Sequence, residues 1–227
     1  MFNQKAIIAL SGGLDSCVTA AIASENYELA LAHFNYGQRT EERELKAFID
    51  IADFYNVKER LIVDFTHFPK IGGSSLTDYN IPVPEGNAQN LSIPNTYVPF
   101  RNANILSACV SWAEIIFAEK VFIGAVHEDS SGYPDCKPSF FNNFNALIKE
   151  GTKREISIVV ETPVIGMSKA EIVKKGIELN APLHLTWSCY QNSEKACGIC
   201  DSCLLRLKGF QNAGYIDPIE YMIDIKI

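Results

Sequence analysis

Short apolar runs alternate with stretches whose apolar residues recur at helical spacing, and this alternation organises the first part of the chain. Runs such as "KAIIAL" and "ELALAHF" have the length of a buried strand, whereas Leu14, Cys17 and Ala21 recur as on one face of a helix. The pattern predicts strands over 5–10, 28–34 and 59–65 and helices over 14–25 and 40–56. Because strands that alternate with helices form βαβ units, we expect a parallel sheet.

The pattern breaks in the middle of the chain and then resumes. Residues 70–99 contain several glycines and prolines without periodicity, which is typical of a functional lid or of a disordered insert. Beyond this segment the pattern predicts helices over 102–119, 136–152, 168–179 and near 203–212, and strands over 120–126 and 155–164.

Two of the predicted helices begin at a residue that commonly caps helices. Thr40 precedes the second helix, although Arg43 stands where a full capping box would have Glu. Ser168 precedes a later helix and has Glu171 three residues on, so this start carries the complete box.

Composition and charge narrow the class of protein. With 227 residues, of which 47% are hydrophobic, the chain suits one large domain or one domain with a small appendage. A formal net charge of −7 argues against a broad electrostatic grip on nucleic acid, yet it allows a small anionic ligand held by local dipoles. No apolar stretch is long enough to span a membrane, and "MFNQKAIIAL" lacks a signal-peptide core, so we expect a cytoplasmic protein.

The segment "SGGLDS" (11–16) lies between the first strand and the first helix and predicts an anion-binding loop. Backbone N–H groups converge at such a helix start, and the helix dipole adds partial positive charge. Neither a Walker loop nor a G-x-G-x-x-G fingerprint is present, so a different phosphate-binding loop is indicated. Asp15 beside bound phosphates would help to hold Mg²⁺. The alternative is a strand-to-helix turn in which Ser and Asp are ordinary caps.

Four of the seven cysteines are crowded into the C-terminal part of the chain. Cys189, Cys197, Cys200 and Cys203 have the spacing C-x7-C-x2-C-x2-C, which can place four thiolates around one ion. Such a closed all-thiolate site suits a structural Zn²⁺, one per chain. An iron–sulfur cluster is the alternative metal site, and unpaired buried cysteines are the alternative without metal.

Polar residues follow the second predicted strand and the long loop. Tyr36, Gln38 and Arg39 come just after the strand over 28–34, and ligands of open α/β sheets bind beyond the carboxyl ends of strands. Arg101 lies near a helix start, where the dipole disfavours a cation, so a carboxylate or phosphate partner is indicated. The alternatives are a solvated polar loop and a surface arginine.

Two later segments also carry candidate ligand-binding residues. Asp129 and Asp135 flank a Ser-Gly-Tyr-Pro turn, in which Asp129 could bind a base edge or a metal and Tyr133 could stack on a planar ring. Lys169 stands in the first turn of its predicted helix, so a phosphate partner is plausible. A polar turn and a solvated lysine are the alternatives.

The loop "SGGLDS" resembles the pyrophosphate loop of the adenine nucleotide α-hydrolase-like enzymes. Further segments, in the order found here, resemble one family within that group, the 7-cyano-7-deazaguanine synthases of the queuosine precursor pathway. These segments are "YGQR", "IPNTYVPFRN", "EDSSGYPDC", "TPVIGMSKAE", "TWSCY" and "CGICDSCLLR". The resemblance implies a Rossmann-like parallel α/β fold with a small C-terminal zinc-binding helical segment.

The resemblance also implies a reaction. ATP adenylates the carboxylate of 7-carboxy-7-deazaguanine, ammonia displaces AMP to give an amide, and a second adenylation of the amide leads to the nitrile. The partners implied for the protein are therefore these small molecules, with Mg-ATP as co-substrate. No direct contact with nucleic acid or membrane is implied. Family members are commonly homodimers. The implied division is an ATP-pyrophosphatase-type α/β domain over 1–185 and a four-cysteine segment over 186–227 packed on the same domain.

The resemblance assigns roles to residues of this chain. The ATP-binding residues implied are Leu10, Ser11, Gly12, Gly13, Leu14, Asp15 and Ser16. The catalytic residues implied are Asp15, Ser16, Arg101, Asp129 and Lys169. The substrate-binding residues implied are Tyr36, Gln38, Arg39, Asn102, Tyr133 and Asp135.

Two other functions remain open from the sequence. A related pyrophosphate-loop enzyme that adenylates a tRNA base should have a basic surface or an RNA-binding appendage, and the net charge counts against it. A zinc-ribbon module for nucleic acid would need more Lys and Arg around the cysteines than Lys195, Arg206 and Lys208 supply.

Overall fold

The computed structural model describes residues 4–86, 93–127, 132–153, 155 and 157–224. Its strands are β1 (Lys5–Ala9), β2 (Glu28–Asn35), β3 (Arg60–Asp64), β4 (Ala118–Ile123) and β5 (Val159–Glu161). Its helices are α1 (Leu14–Ser24), α2 (Glu41–Phe54), α3 (Phe68–Ile71), α4 (Arg101–Ile116), α5 (Pro138–Gly151), α6 (Lys169–Glu178) and α7 (Asp201–Ala213). Single 3₁₀ turns lie at Pro134–Cys136 and Leu183–Leu185.

The strands form one parallel sheet in the order β3-β2-β1-β4-β5. The central strand is β1, in which Ile7 pairs with Ala30 of β2 on one side and with Val121 of β4 on the other. The prediction of a parallel α/β fold is therefore confirmed. The chain runs outward from β1 in both directions, so the order of the strands reverses between β1 and β4, which is where open α/β sheets bind ligands.

Successive residues of β1 face opposite layers of helices, as the two-residue period of a strand requires. Ile7 belongs to an apolar cluster with Leu106 of α4, whereas Ile8 belongs to a cluster with Cys17 of α1 and Phe48 of α2. All five side chains are completely buried. The sheet is thus covered on both faces, which leaves its strand ends as the accessible edges. No helix in the described part of the chain has both the length and the apolar character of a membrane span.

The sequence placed most elements correctly and misplaced several boundaries. Helix α4 ends at Ile116 and β4 begins at Ala118, earlier than the predicted bounds of 119 and 120, because Phe117 adopts a left-handed φ of 58° that ends the helix. The last strand extends only over Val159–Glu161. A one-turn helix, α3, lies across the start of the predicted long loop.

The two predicted helix caps differ in outcome. The capping box at Ser168 is confirmed: its Oγ accepts from Glu171 N, and its own N–H donates to Glu171 Oε2 at 2.8 Å. Thr40 does precede α2, but its hydroxyl donates to Glu44 Oε1 at 2.8 Å and makes no cap bond to the backbone. The side chain of Thr40 was therefore wrongly predicted as a cap.

Candidate active site

A cavity of about 280 Å³ opens at the carboxyl ends of β1 and β4, where the strand order reverses. Its lining comes from the ends of β1, β2 and β4 with the turns after them, from α2, from the starts of α1, α4 and α6, and from the segment around the C-terminal cysteines. Its polar lining includes Ser11, Asp15, Ser16, Tyr36, Glu44, Arg101, Asn102, Tyr133, Lys169, Ser188, Tyr190, Ser202 and Arg206. This is the position at which ligands of open α/β folds bind.

The loop 11–16 forms one wall of the cavity and lines it with every residue except Gly12. Gly12 has a φ of +87°, and a Cβ there would lie 2.7 Å from Glu44 O, so only glycine fits. Gly13 is the N-cap of α1 and supplies no capping side chain. The first helical bond runs from Cys17 N to Gly13 O at 3.0 Å, so the helix leaves the N–H groups of its first three residues without an acceptor of its own. These donors suit an anion.

The turn after β4 packs directly on this helix start. A Cβ on Gly124 would lie 2.7 Å from Ser16 N and 2.8 Å from the carbonyl carbon of Asp15. Across the same turn, Ser11 Oγ and Ser16 Oγ lie 3.1 Å apart. Glycine at 124 therefore allows the backbone of the turn after β4 to pack closely against the first turn of α1.

Asp15 and Lys169 form an ion pair at the edge of this wall. Lys169 Nζ lies 2.8 Å from each carboxylate oxygen. The side chain of Asp15 is only 27% exposed and that of Lys169 only 14%. Lys169 belongs to the first turn of α6 and Asp15 to the first turn of α1, so a cation and two helix N-termini meet at the cavity. The fold thus brings together two of the predicted functional residues, which lie 154 positions apart in the chain.

The predicted residues Tyr36, Arg101, Asn102 and Tyr133 form another part of the cavity wall. Arg101 Nη1 donates to Tyr36 Oη at 2.7 Å, and the guanidinium lies 4.9 Å from the centre of the same ring. Burial raises the pKa of Tyr36, which keeps its hydroxyl neutral. The arrangement presents a half-buried cation without a carboxylate bonded to it in the described structure, as binding of an anionic substrate group requires.

Asp135 lies behind this wall and acts on the backbone. It is 3% exposed, and its Oδ2 accepts from Asn102 N at 3.0 Å, in the first turn of α4. Burial raises the pKa of Asp135, while its bond from Asn102 N opposes that rise. Asn102 Nδ2 returns a bond to Asp135 O at 3.0 Å. Asp135 therefore positions Asn102, which itself lines the cavity.

Neither Gln38 nor Arg39 is among the described residues that line the cavity. Arg39 Nε donates to Ser75 O at 2.7 Å, and its Nη2 donates to Ile81 O at 2.8 Å. Arg39 thus ties the predicted long loop to the sheet. Gln38 is 4% exposed and donates to Glu44.

The remaining predicted residues also have clear positions. Leu10 is fully buried, and its carbonyl oxygen is hydrogen-bonded to His33 Nδ1 at 3.0 Å. Leu14 lines the cavity. Asp129 lies outside the residues that the structure describes.

The sequence interpretation missed Glu44, Trp187, Tyr190 and Arg206, which all line the cavity. A signal for Glu44 was available, because it precedes Ala47, Phe48 and Ile51 on the buried side of α2. A carboxylate on the apolar face of an amphipathic helix requires a partner or a function. The other three lie in the segment of the cysteines, for which the sequence indicated only a metal site.

The four predicted metal ligands come together in one buried group. Each cysteine sulfur lies within 4.8 Å of the others, and Cys197 Sγ and Cys203 Sγ are 3.8 Å apart. A tetrahedral ion with metal–sulfur bonds of about 2.3 Å has sulfur–sulfur edges of about 3.8 Å, so this group fits Zn²⁺. Backbone N–H groups also point at the sulfurs: Cys197 N lies 3.3 Å from Cys189 Sγ, and Cys200 N lies 3.4 Å from Cys197 Sγ. Such donors stabilise thiolate ligands.

The other three cysteines are buried thiols. Burial raises the pKa of Cys17 to about 12 and, with Asp135 adding to the effect, that of Cys136 to about 11. Cys136 lines the cavity and is 7% exposed. A nucleophilic cysteine needs a lowered pKa, so neither group fits a sulfur-transfer reaction.

Comparisons with known proteins find similar sequences over nearly the whole chain. Residues 5–214 match the family model of "Queuosine biosynthesis protein QueC". A protein of Chlorobium phaeobacteroides named 7-cyano-7-deazaguanine synthase is 59% identical over 219 residues, which are 96% of this chain and 97% of that protein. One of the same name from Chloroherpeton thalassium is 58% identical over 221 residues, covering 97% and 98%.

Solved structures similar to this protein have much lower sequence identity. The U34-tRNA thiolase NcsA from Methanococcus maripaludis, with its [4Fe-4S] cluster, has a TM-score of 0.46 and 17% identity, covering 85% of this chain and 60% of that chain. NMN synthetase from Francisella tularensis has a TM-score of 0.47 and 13% identity, covering 81% and 64%.

Proposed function

The chain belongs to the queuosine biosynthesis protein QueC family and is an ATP-dependent enzyme that forms 7-cyano-7-deazaguanine, and we propose that it does so in the cavity beside residues 11–16. The substrates are 7-carboxy-7-deazaguanine, ammonia and ATP. The observation that carries the site assignment is the joining of an open helix N-terminus, a lysine and a half-buried arginine around one cavity. Each of these groups favours negative charge, which both ATP and the carboxylate substrate bring.

Residues 11–16 bind the phosphates of Mg-ATP. The backbone N–H groups at the start of α1 and the hydroxyls of Ser11 and Ser16 face the cavity and suit phosphate oxygens. Lys169, which pairs with Asp15, supplies a cation that favours departure of pyrophosphate. Asp15 is the residue that would hold Mg²⁺, whose charge neutralises the phosphate oxygens.

Arg101 binds the carboxylate of the deazapurine substrate. Its guanidinium is held by Tyr36 and lines the same cavity as the phosphate loop, so a carboxylate bound beside it would share that cavity with the phosphates of ATP. Tyr133 offers a ring face for the planar base, and Asn102 offers an amide. The proposed roles of Gln38, Arg39 and Asp135 are indirect, since their described bonds hold the loop, Glu44 and α4.

The cysteine group holds one structural Zn²⁺. Its four buried sulfurs leave no open ligand position, which is typical of structural and not of catalytic zinc. The ion would fix the segment that contributes Trp187, Ser188 and Tyr190 to the cavity. Metal analysis of the purified protein separates this proposal from an iron–sulfur cluster, because the cluster carries iron and inorganic sulfide.

We further propose a cytoplasmic homodimer that acts on small molecules and makes no direct contact with nucleic acid. The net charge of −7 supports the absence of direct contact with nucleic acid. Membership in the family supports the cytoplasmic homodimer. Light scattering after gel filtration measures the oligomeric state. The division at residues 185 and 186 stays a prediction.

The function is tested by incubating the protein with ATP, 7-carboxy-7-deazaguanine and ammonium, and following AMP, pyrophosphate and the nitrile by mass spectrometry. We expect two AMP and two pyrophosphate for each nitrile. Formation of AMP only after addition of tRNA would instead indicate the alternative enzyme that adenylates a tRNA base. Absence of any nucleotide turnover would indicate a binding module.

A further inference from the structure

Glu44 places a carboxyl group in the cavity, and none of the roles above uses it. It lies on the buried side of α2, and the phosphate loop packs on its backbone, since a Cβ on Gly12 would lie 2.7 Å from Glu44 O. Its side chain lines the same cavity as Ser11 and Arg101. The carboxyl group is thus within the space in which ATP and the second substrate meet.

The hydrogen bonds of Glu44 accommodate both of its protonation states. Gln38 Nε2 lies 3.2 Å from Glu44 Oε2, and the amide is oriented by Tyr36 N, which donates to Gln38 Oε1 at 2.8 Å. Thr40 Oγ1 lies 2.8 Å from Glu44 Oε1 and 3.2 Å from the backbone oxygen of Cys189. The Thr40 hydroxyl can donate to the carboxylate, or it can donate to Cys189 O while its oxygen accepts a hydrogen bond from the neutral acid.

The charge environment of Glu44 suits proton transfer near neutral pH. Burial raises the pKa of Glu44 to about 7, against the opposing hydrogen bonds from Thr40 and Gln38 and the charge of Arg101. Glu41 on the same helix adds to the rise, and Tyr36 is the other titratable group that interacts with Glu44. A proton acceptor is most effective when its pKa lies near the working pH.

The reaction releases N–H protons at two stages, and neither stage has yet been given an acceptor. Ammonium must lose a proton to become the nucleophile; ammonia then forms the C–N bond, the adduct loses a second N–H proton, and the C–O bond to AMP breaks to leave the amide. In the second stage the amide oxygen attacks the α-phosphate, pyrophosphate leaves, and loss of one N–H proton gives the O-adenylated imidate. The imidate then loses its remaining N–H proton, the electron pair of that bond becomes the third C–N bond, and AMP leaves with the electrons of the C–O bond. The first adenylation of a carboxylate, by contrast, moves no proton.

We propose that Glu44 accepts these N–H protons, first from ammonium and then from the adenylated amide. The proposal rests on the proposed function, because it names the proton acceptor of that same cavity. The protonated acid passes its proton to solvent through the cavity before the next stage.

The test compares the wild type with Glu44→Gln and with Glu42→Gln, a matched change at an exposed position of the same helix. Three rates are measured: pyrophosphate formation from ATP and 7-carboxy-7-deazaguanine in a single turnover without ammonium, nitrile formation with ammonium, and nitrile formation from the carboxamide of the same base. For Glu44→Gln we expect the first rate to stay within about threefold of the wild type and both nitrile rates to fall about 10²-fold or more. Glu42→Gln should leave all three rates unchanged.

Two results would overturn the proposal: nitrile rates of Glu44→Gln close to those of the wild type, or an equal loss of all three rates, which a purely structural role would cause. Failure of the wild type to form pyrophosphate or nitrile would instead refute the proposed function. If Glu44→Gln does not fold, Glu44→Asp replaces it. Because Asp withdraws the carboxyl group by one methylene, pyrophosphate formation should persist while the nitrile rates fall about 10-fold or more.

Discussion

Lys169 Nζ lies 2.8 Å from both carboxylate oxygens of Asp15, so the ion pair joins the first turn of α6 to the first turn of α1 at the edge of the cavity. The Asp15 carboxylate is favoured by the positive end of the α1 dipole. Lys169 lies at the positive end of the α6 dipole, which disfavours a cation, and the negative charge of Asp15 compensates for this. The pair keeps the lysine oriented toward the phosphate loop before nucleotide binds.

Replacing Asp15 with Asn should abolish most of the catalysis and leave the fold intact. The change removes the charge that orients Lys169 and that would help to hold Mg²⁺, while the shape of the side chain is preserved. We expect the rate of pyrophosphate release to fall about 10²-fold or more. The exposed pair Lys46–Asp50 supplies the control, since Asp50→Asn makes the same chemical change far from the cavity. Turnover like that of the wild type in Asp15→Asn would contradict the role.

Adding one methyl group at Gly124 should weaken the binding of ATP. The new Cβ would come within 2.7 Å of Ser16 N and would push the start of α1 away from the turn after β4. We expect the affinity for ATP, measured by calorimetry, to fall about 10-fold or more, because the anion-binding N–H groups lose their alignment. Gly166→Ala is the matched control, since its Cβ meets nothing within 4 Å. Equal affinity in both variants would show that the close contact does not matter.

Replacing Cys200 with Ser should remove the metal and lower the stability. Cys200 is fully buried, and its sulfur is one of four that surround a common point. A serine ligand binds Zn²⁺ poorly, so the free energy of metal binding is lost from folding. Elemental analysis should find about one zinc per chain in the wild type and almost none in the variant. Cys109→Ala, at a buried cysteine outside the group, should keep its zinc. A stable, metal-free and active Cys200→Ser variant would contradict the site.

The parts of the site that the sequence predicted are those fixed by local chain geometry. Gly12 and Asp15 belong to a strand-to-helix turn whose backbone requirements follow from six consecutive residues. The four cysteines are recognisable by spacing because 15 residues contain all of them. Lys169 was identified because a cation at a helix start needs a counter-charge, and the structure supplies Asp15.

The parts that it missed depend on which segments meet across the fold. Arg39 follows a strand just as a ligand-binding residue would, yet it binds backbone oxygens of the loop over 74–81. Nothing local reveals that this loop returns to β2. The position of Glu44 on the apolar face of α2 signals a partner or a function, but only the packing of α2 against residues 11–16 places it in the cavity.

Removing the carboxylate of Asp217 should destabilise the C-terminal segment strongly. Arg206 is 1% exposed and donates to both oxygens of Asp217, at 2.7 and 2.9 Å. Asp217→Ala leaves this buried cation without its counter-charge, which costs about 3–5 kcal/mol in the free energy of unfolding. The exposed pair Lys195–Glu220 provides the control, and Glu220→Gln should change the stability by less than about 1 kcal/mol. Chemical denaturation measures both, and similar small effects would contradict a structural ion pair.

The raised pKa of Glu44 should make the stability depend on pH in a direction opposite to that of an ordinary paired carboxylate. Its pKa is about 7 in the folded protein against 4.5 as the ordinary value, so between these pH values the native state holds a proton that the unfolded state has released. The free energy of unfolding therefore falls as the pH rises from about 4.5 to about 7, by up to about 3 kcal/mol. Glu44→Gln lacks this titration. Urea denaturation at pH 5.5 and pH 8 should accordingly show the wild type losing stability relative to Glu44→Gln, while Glu42→Gln stays parallel to the wild type. Because all other titrations are shared, parallel pH profiles of the wild type and Glu44→Gln would mean that Glu44 ionises normally, and the carboxyl group would then have no special fitness for accepting protons at neutral pH.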